Sequence, residues 1–297
     1  MGTASAMPVP DRNQSAQVLR VHGRLFLIDC GEGTQGQLIR HRIPPVKLDA
    51  VFLSHIHGDH VFGIFGLLST LGMLGRQAPL PVYAPANFGP ILKFFLSYYG
   101  EGLGYEIRFF PLAMKQPETV YEGRTLTVSA FPLNHKIATF GFLFREKEPM
   151  WNVHKEAIGR YGLSLTEIGT LKRGEDVVRP DGVIPLAEAA YKPYAARSYA
   201  YCSDTAPFPE EATWLRGVGV LYHEATYLEE FADQAQARFH STTLQAARCA
   251  RDAGAGRLIV GHYSSRNSDI SRYEAECRSV FPESVAASDG DIFEINC

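Results

Sequence analysis

The chain has 297 residues, of which 45% are hydrophobic and 21% are charged, and its formal net charge is −3. A chain of this length can bury a substantial core as one large domain or two small ones, and its composition argues against a disordered or fibrous protein. The small negative charge argues against a protein that coats nucleic acid with a basic surface, although it allows a local basic patch.

Apolar stretches of strand length alternate with segments of helical spacing in the first half of the chain. Strands are predicted at residues 25–30, 50–54, 80–83 and 125–131, and helices at residues 35–41 and 61–74. The second half repeats this order, with strands predicted at residues 198–202, 219–223 and 257–262 and a helix at 241–253. Between the two halves, residues 146–190 are polar and of mixed charge. The pattern predicts a layered α/β fold of two similar halves separated by an insertion.

A dense cluster of potential metal ligands follows the second predicted strand. Residues 54–60 read Ser-His-Ile-His-Gly-Asp-His. In a tight loop, His55 and His57 can face one ion while Asp59 and His60 turn towards a second, and these ligand types suit zinc and similar metals. A lone histidine is usually a surface or core residue, but burying this set without a metal would leave many polar groups unpaired. The segment therefore predicts a metal site.

Three further candidates lie at the ends of other predicted strands. They are His135, Asp204 and His262. Together they supply a third histidine for one ion, a histidine for the other and a carboxylate that can bridge the two. Two ions about 3.5–4 Å apart stabilise both oxygens of a phosphoryl or acyl transfer and lower the pKa of a bridging water. The full set predicts a two-metal hydrolase.

The H-x-H-x-D-H segment resembles the metallo-β-lactamase superfamily, and five other motifs resemble the ribonuclease Z (tRNase Z) family in order and spacing. These motifs are Asp29-Cys30-Gly31-Glu32-Gly33-Thr34-Gln35, Ser203-Asp204-Thr205, His223-Glu224-Ala225-Thr226, His240-Ser241-Thr242-Thr243 and His262-x-Ser264-x-Arg266. The resemblance covers nearly the whole chain. It implies an α/β fold of the four-layered αβ/βα sandwich type, as a single domain over residues 1–297 with an inserted arm at about 147–190.

The resemblance also implies a role for each site residue. It assigns two Zn²⁺ per subunit, with Mn²⁺ as an alternative ion, to seven ligands: His55, His57 and His135 on one ion, Asp59, His60 and His262 on the other, and Asp204 bridging them. Asp59 would also orient or deprotonate the attacking water. Glu224 and His240 would form the pair that protonates the leaving oxygen, which suits the chemistry because a ribose 3′ oxygen departs poorly without a proton.

The substrate implied by the resemblance is precursor tRNA, cut endonucleolytically to leave a 3′ hydroxyl on the tRNA and a 5′ phosphate on the trailer. Members of the family are typically homodimers whose arm grips tRNA. Lys172 and Arg173 are the candidate phosphate contacts of the arm. Acidic residues nearly balance the basic ones there, so a solvated surface loop is the alternative. Arg266 either meets a substrate phosphate as a bidentate donor or pairs with a surface acid.

Two other functions compete with tRNA processing. The same scaffold and metals could act on a small phosphodiester or on an aryl sulfate or phosphate ester, particularly since the arm lacks the Gly-Pro pair usual in the family. A catalytically inactive scaffold that binds RNA or a partner is the second alternative. It is disfavoured because every expected ligand position is filled.

The cysteines and the distribution of apolar residues indicate where in the cell the protein is found. Five scattered cysteines without a CxxC pair suit reduced thiols in the cytoplasm better than disulfides or a Cys-rich zinc site, and Cys30 and Cys202 are predicted to lie in the core. His223 is predicted to be structural. Residues 1–17 lack the apolar centre of a secretory signal, and no apolar run reaches the roughly 18 residues of a membrane span. The sequence therefore predicts a cytoplasmic protein without membrane contact.

Overall fold

The computed structural model describes residues 1–267 and 269–295, so the predicted free thiol of Cys297 lies outside the described residues. The first part of the chain forms a five-stranded sheet of order β1-β2-β3-β4-β5 with three helices. The strands are β1 (Gln17–Val21), β2 (Arg24–Ile28), β3 (Leu48–Phe52), β4 (Leu80–Pro85) and β5 (Ile107–Leu112). The helices are α1 (Thr34–Arg40), α2 (Gly58–Met73) and α3 (Phe88–Tyr99), with a 3₁₀ turn at Pro45–Lys47.

Three antiparallel strands begin the second sheet, and the arm then leaves it. These strands are β6 (Glu118–Glu122), β7 (Leu126–Pro132) and β8 (Phe140–Glu146). The arm contains β9 (Asn152–Val153), α4 (Lys155–Tyr161), α5 (Leu165–Lys172), β10 (Val177–Arg179), β11 (Gly182–Ile184), α6 (Leu186–Ala189) and β12 (Ala190–Tyr191).

The chain returns from the arm to complete a seven-stranded sheet of order β16-β15-β14-β13-β8-β7-β6. The added strands are β13 (Ser198–Cys202), β14 (Val220–Glu224), β15 (Arg257–Gly261) and β16 (Ser284–Ala286). The helices of this half are α7 (Glu211–Trp214), α8 (Ala232–Arg238), α9 (Thr243–Ala253) and α10 (Ser271–Val280), with a 3₁₀ turn at Glu229–Phe231.

Three hydrophobic clusters define four layers. One cluster lies between the two sheets and is rich in aromatic rings, such as Phe52 stacked on Tyr83 at a centroid distance of 4.7 Å. A second packs the first sheet against α1, α2 and α3, and a third packs the second sheet against α7, α9 and α10. Burying both faces of each sheet is how α/β layered proteins stabilise mostly parallel strands. The predicted four-layered αβ/βα sandwich is confirmed.

Two predicted element boundaries differ from the structure for reasons that matter to the site. The strand predicted at 25–30 ends at Ile28 because Asp29 adopts a left-handed backbone with φ of 55°. The helix predicted at 61–74 begins at Gly58, so Asp59 and His60 occupy its first turn instead of a loop. Both differences concern residues of the site, because Asp29 bonds His60 in the first turn of α2.

Close packing holds the glycine-rich loop after β2 against α2. A Cβ on Gly63 would lie 2.0 Å from the Gly31 carbonyl oxygen, so a side chain there would separate the two segments. The contact is hydrogen-bonded as well, with the Cys30 amide donating to the His60 carbonyl at 2.8 Å. The loop that carries Asp29 is therefore held beside the first turn of α2.

The arm has a small hydrophobic cluster of its own, although the sequence of this region is largely polar. Leu171 is its fully buried centre, packed with other apolar residues of the arm such as Ile184 and Trp151. At the base of the arm, Glu146 and Arg197 form an ion pair of 2.6 Å between Arg197 Nη2 and a carboxylate oxygen. The two backbones also bond there, because the Glu146 amide donates to the Arg197 carbonyl at 2.9 Å. The arm thus starts and ends within one antiparallel pair, β8 and β13.

None of the helices in the described part of the chain has the length and apolar character needed to cross a bilayer.

Candidate metal centre and proton donor

The structure brings all seven predicted metal ligands to one edge of the two sheets. His55 and His57 follow β3, and Asp59 and His60 open α2. The other three each lie just beyond a strand of the second sheet: His135 after β7, Asp204 after β13 and His262 after β15. These three strands run in the same direction, so their carboxyl ends meet at the same edge.

The first ligand group contains His55, His57, His135 and Asp204, whose ligand atoms all lie within 4.8 Å of one another. The Nδ1 atom of His135 donates a hydrogen bond to the Phe239 carbonyl at 2.8 Å. Its Nε2 therefore carries no proton and has a lone pair to offer. That Nε2 is buried and has no hydrogen-bond partner. Burial outweighs the neighbouring carboxylates and lowers the pKa of His55 to about 4, so this ring is also a neutral electron-pair donor.

The second group contains Asp59, His60 and His262. His60 Nδ1 donates to an Asp29 carboxylate oxygen at 2.8 Å, and His262 Nδ1 donates to the Thr226 hydroxyl at 2.9 Å. Their Nε2 atoms consequently face each other at 3.2 Å. Burial opposes a charged His60, but Asp59, Asp204 and Asp29 raise its pKa well above the usual value. The carboxylates around the ring thus favour a positive charge at this position.

Asp204 lies between the two groups with one oxygen towards each. Its Oδ2 is 3.5 Å from His55 Nε2 and 3.8 Å from His135 Nε2. Its Oδ1 is 3.4 Å from His60 Nε2 and 3.2 Å from His262 Nε2, and this buried oxygen has no hydrogen-bond partner. A carboxylate placed in this way can bridge two cations.

The residues present fit divalent metal ions. Buried polar atoms without partners are costly, and here two of them, His135 Nε2 and Asp204 Oδ1, point into the same centre. Four of the five rings have their outer nitrogen bonded to a carbonyl, a carboxylate or a hydroxyl, which is the usual way a protein orients metal-binding imidazoles; they are His55, His60, His135 and His262. Ions at the two groups would satisfy the orphaned atoms together.

Asp29 organises the side of the centre that faces the first sheet. Its Oδ2 accepts hydrogen bonds from His60 Nδ1 at 2.8 Å, from the Ser54 hydroxyl at 2.9 Å and from the Tyr201 hydroxyl at 2.6 Å. These contacts make Asp29 the acceptor that orients a ligand histidine. Sequence analysis did not identify Tyr201 as a contact of Asp29, because it lies in an apolar strand where a tyrosine is expected to pack in the core.

We expect Asp29→Asn to weaken metal binding by about 10–100-fold, the range typical of partners that orient a ligand histidine. The amide would present a donor to rings and hydroxyls that now donate, so the orientation of His60 would be lost. Affinity is measured by competition with a chromophoric zinc chelator. Asp49→Asn is the control, because Asp49 bonds the Leu25 amide at 2.8 Å away from the centre and should leave affinity unchanged. Equal affinities for both variants would contradict the role given to Asp29.

Glu224 and His240 form a pair at the rim of the metal centre. His240 Nδ1 lies 2.8 Å from Glu224 Oε1, and the His240 ring is 5.2 Å from that of His135 and 5.7 Å from that of His262. Burial disfavours a charged His240, but Glu224 and Asp204 outweigh it and raise the pKa of His240 to about 9. The two carboxylates thus favour the protonated form of this ring, which lies next to the metal-ligand groups.

The Glu224 carboxylate is fully buried and held by other donors. The amides of Thr205 and Ser241 donate to its Oε1 at 3.1 and 3.0 Å, and the amide and hydroxyl of Thr226 donate to Oε2 at 2.8 and 2.7 Å. Thr226 also accepts from His262, so one hydroxyl joins the carboxylate of the proton-donor pair to a metal ligand. The His-Glu-Ala-Thr motif contained this threonine, but its sequence position alone did not reveal the link.

The predicted RNA contacts are exposed. Arg266 lies beside a cavity of about 310 Å³ that Thr226 also lines, and its Nη1 donates to Gln234 at 3.1 Å. In the arm, Lys172 is exposed, and Arg173 pairs with Glu175 at 3.3 Å. The arm cations therefore lie on the surface, and Arg266 lies at the cavity that Thr226 also lines.

The chain is similar in sequence and in fold to several known proteins. Residues 9–133 match the family model of the metallo-beta-lactamase superfamily. The chain is 38% identical over 290 residues to Ribonuclease Z of Bacteroides fragilis, covering 97% of this chain and 95% of that protein. It is 40% identical over 291 residues to Ribonuclease Z of Parabacteroides distasonis, covering 98% and 96%. Among solved structures, the short form of human tRNase Z aligns with a TM-score of 0.72 at 25% identity, covering 100% of this chain and 98% of that one.

Proposed function

Since the chain belongs to the ribonuclease Z family of the metallo-β-lactamase superfamily, we propose that it is a zinc-dependent endoribonuclease that removes 3′ trailers from precursor tRNA. The products are a tRNA with a 3′ hydroxyl and a trailer with a 5′ phosphate. The observation that carries this proposal is the contact between the Glu224–His240 pair and the two metal-ligand groups. A metal cluster alone suits many hydrolases, whereas a buried, carboxylate-held proton donor beside it suits a leaving group that needs a proton.

The ligand set favours zinc at both positions. Five of the seven ligands are imidazoles, His55, His57 and His135 in one group and His60 and His262 in the other, and the shared Asp204 gives each group a carboxylate. Such nitrogen-rich sets suit zinc better than Mn²⁺, which prefers oxygen ligands. Two ions bound here would supply positive charge to neutralise a phosphodiester and acidity to activate a water.

Side chains of the protein act on both sides of the scissile bond, on the attacking water and on the leaving oxygen. Burial opposes ionisation of Asp59, but His60 and His262 lower its pKa well below the usual range, so the carboxylate stays charged and can accept a hydrogen bond from the attacking water. The Ala6 amide donates to Asp59 Oδ2 at 2.7 Å and holds it in place. On the other side of the scissile bond, His240 donates its proton to the departing ribose 3′ oxygen while Glu224 stabilises the ring.

The arm and Arg266 supply the contacts to the RNA. Arg266 is within the same cavity wall as Thr226, so it can bind a phosphate next to the one that is cut. Lys172 and Arg173 supply exposed cations at the arm for further phosphates. The arm keeps its shape through its own core, so its cations are presented on a folded support within the single domain.

We propose that the protein acts as a homodimer through α3, in the cytoplasm where precursor tRNA and reduced thiols are found. Ile91, Phe94 and Tyr98 recur at helical spacing on one side of α3 and are all exposed, with Phe94 and Tyr98 at 65% and 69% exposure. An apolar face of this kind on a protein surface usually contacts another protein. A second copy of the chain is the simplest partner.

Phe94→Glu is expected to convert the dimer to a monomer, because it places a charge in the centre of the apolar face that the two copies would bury. Sedimentation velocity over a range of concentrations measures the change. Lys93→Glu, an exposed charge change on the same helix, should remain dimeric. A wild-type protein that sediments as a monomer at every concentration would refute the dimer and leave the hydrolytic proposal intact.

The deciding experiment compares an end-labelled precursor tRNA with bis-p-nitrophenyl phosphate as substrates for the wild-type protein. Release of an intact trailer with a 5′ phosphate is the expected result. Turnover of the small diester without tRNA cleavage would favour the small-substrate enzyme and identify the arm as the altered part. Zinc-loaded protein that is inactive on both substrates would favour a scaffold without catalysis.

A further inference from the structure

A separate group of potential metal ligands lies away from the metal centre, on the helix-covered face of the second sheet. Glu211 at the start of α7, His223 on β14 and Cys249 on α9 have ligand atoms that all lie within 4.8 Å of one another. Glu211 and His223 are buried, and Cys249 is half-buried. The group shares no residue with the two groups described above.

Hydrogen bonding fixes the direction of the His223 lone pair. Its Nδ1 lies 2.6 Å from the Glu224 carbonyl oxygen, which can only accept, so Nδ1 carries the proton. The Nε2 atom then faces Glu211 Oε1 at 3.1 Å. In a neutral ring these are two electron pairs pointing at each other, and a cation is needed between them. An imidazole bonded through one nitrogen to a backbone carbonyl is also the usual form of a metal ligand.

The cation could be a proton or a metal, and the two thiols favour a metal. A proton on His223 would satisfy Nε2 and the carboxylate, but the Cys249 thiol, which bonds both groups, would then contribute only weak hydrogen bonds. Cys202 is the register partner of His223 on the neighbouring strand, and its thiol contacts Glu211 as well. Cysteine, histidine and carboxylate side chains are the three kinds of ligand through which proteins bind zinc.

We propose that Glu211, His223 and Cys249 bind one zinc-type divalent ion, with Cys202 on the neighbouring strand as a fourth donor. The Cys249 thiol loses its proton on binding, and the thiolate and carboxylate balance the charge of the ion. The half-buried Cys249 gives the ion a path from the surface. The ion would tie α7 and α9 to β14 immediately before Glu224, and would thereby hold the strand that carries the proton-donor pair.

Cobalt substitution tests this site independently of RNA cleavage. The ligands of the catalytic centre are all histidines and aspartates, so a thiolate-to-cobalt charge-transfer band in the near ultraviolet can arise only where a cysteine binds the ion. Metal-free protein titrated with Co²⁺ should show this band. It should vanish in Cys249→Ala, weaken in Cys202→Ala, and persist in Cys277→Ala, a control that removes a buried thiol elsewhere in the same half.

Zinc content provides the second measurement. After dialysis against a fixed free Zn²⁺ concentration, wild type should retain one more zinc per chain than Cys249→Ala, with the catalytic zinc equal in both. Cobalt-loaded wild type with visible bands but no thiolate band would overturn the proposal and leave His223 and Glu211 as a buried ion pair. That spectrum decides the matter even if Cys249→Ala fails to fold. Failure of tRNA cleavage would leave both readouts unaffected.

Discussion

Asp204→Ala is expected to abolish precursor tRNA cleavage through loss of metal from both ligand groups at once. Each carboxylate oxygen faces the histidines of a different group, at 3.2 to 3.8 Å. Because partners that merely orient a ligand already contribute about 10–100-fold to metal affinity, removing a ligand shared by two ions should cost at least about 100-fold. Elemental analysis after gel filtration measures the metal content, and cleavage of end-labelled precursor tRNA measures the activity.

The control for this change is Asp233→Ala, which removes an exposed carboxylate on α8. It should keep both the metal and the activity. Loss of only one equivalent of metal from Asp204→Ala would show that the carboxylate serves a single ion, and retention of both would refute its bridging role. Far-ultraviolet circular dichroism identifies a variant that has failed to fold.

His240→Ala should slow precursor tRNA cleavage by about 10²–10⁴-fold, the range expected when a general acid is removed. The same variant should retain most of its activity on bis-p-nitrophenyl phosphate, because nitrophenolate leaves as a stable anion and needs no proton. Metal content should be unchanged, since the ring is bonded to Glu224 and is not one of the assigned ligands. Single-turnover rates on the two substrates provide the comparison.

An equal loss on both substrates would contradict the proton-donor role and would point to a general disturbance of the centre. His41→Ala is the matched control, because it removes an exposed imidazole and should leave both rates unchanged. The contrast between substrates therefore separates a role in protonating the leaving oxygen from a role in folding or in metal binding.

The sequence predicted the fold and the candidate ligands because their signals are local. His55 to His60 are contiguous, and His135, Asp204 and His262 each follow an apolar strand whose end is visible in the sequence. The order of the motifs then related the chain to a known family, whose fold the four layers confirm. The assignment of individual residues to individual ions remains a prediction of that resemblance.

The supporting contacts could not be predicted because they join residues far apart in the chain. The Tyr201 hydroxyl reaches Asp29 across 172 positions, and the Ala6 amide reaches Asp59 across 53. Cys249 meets His223 only after α9 has packed on the second sheet, so the cysteine spacing gave no indication of a metal site. Hydroxyls and thiols in apolar segments have no pattern of their own, and their roles depend on tertiary packing.

The base of the arm has a consequence for how this chain can change over evolution. The arm leaves from Glu146 and returns by Arg197, and these two residues already pair as neighbours in the sheet. Its interior is filled by its own side chains, and the ring contact of Tyr194 with His22 is one place where it packs on the sandwich. Substitutions in the interior of the arm can thus accumulate without rebuilding the strands that carry the metal-ligand groups.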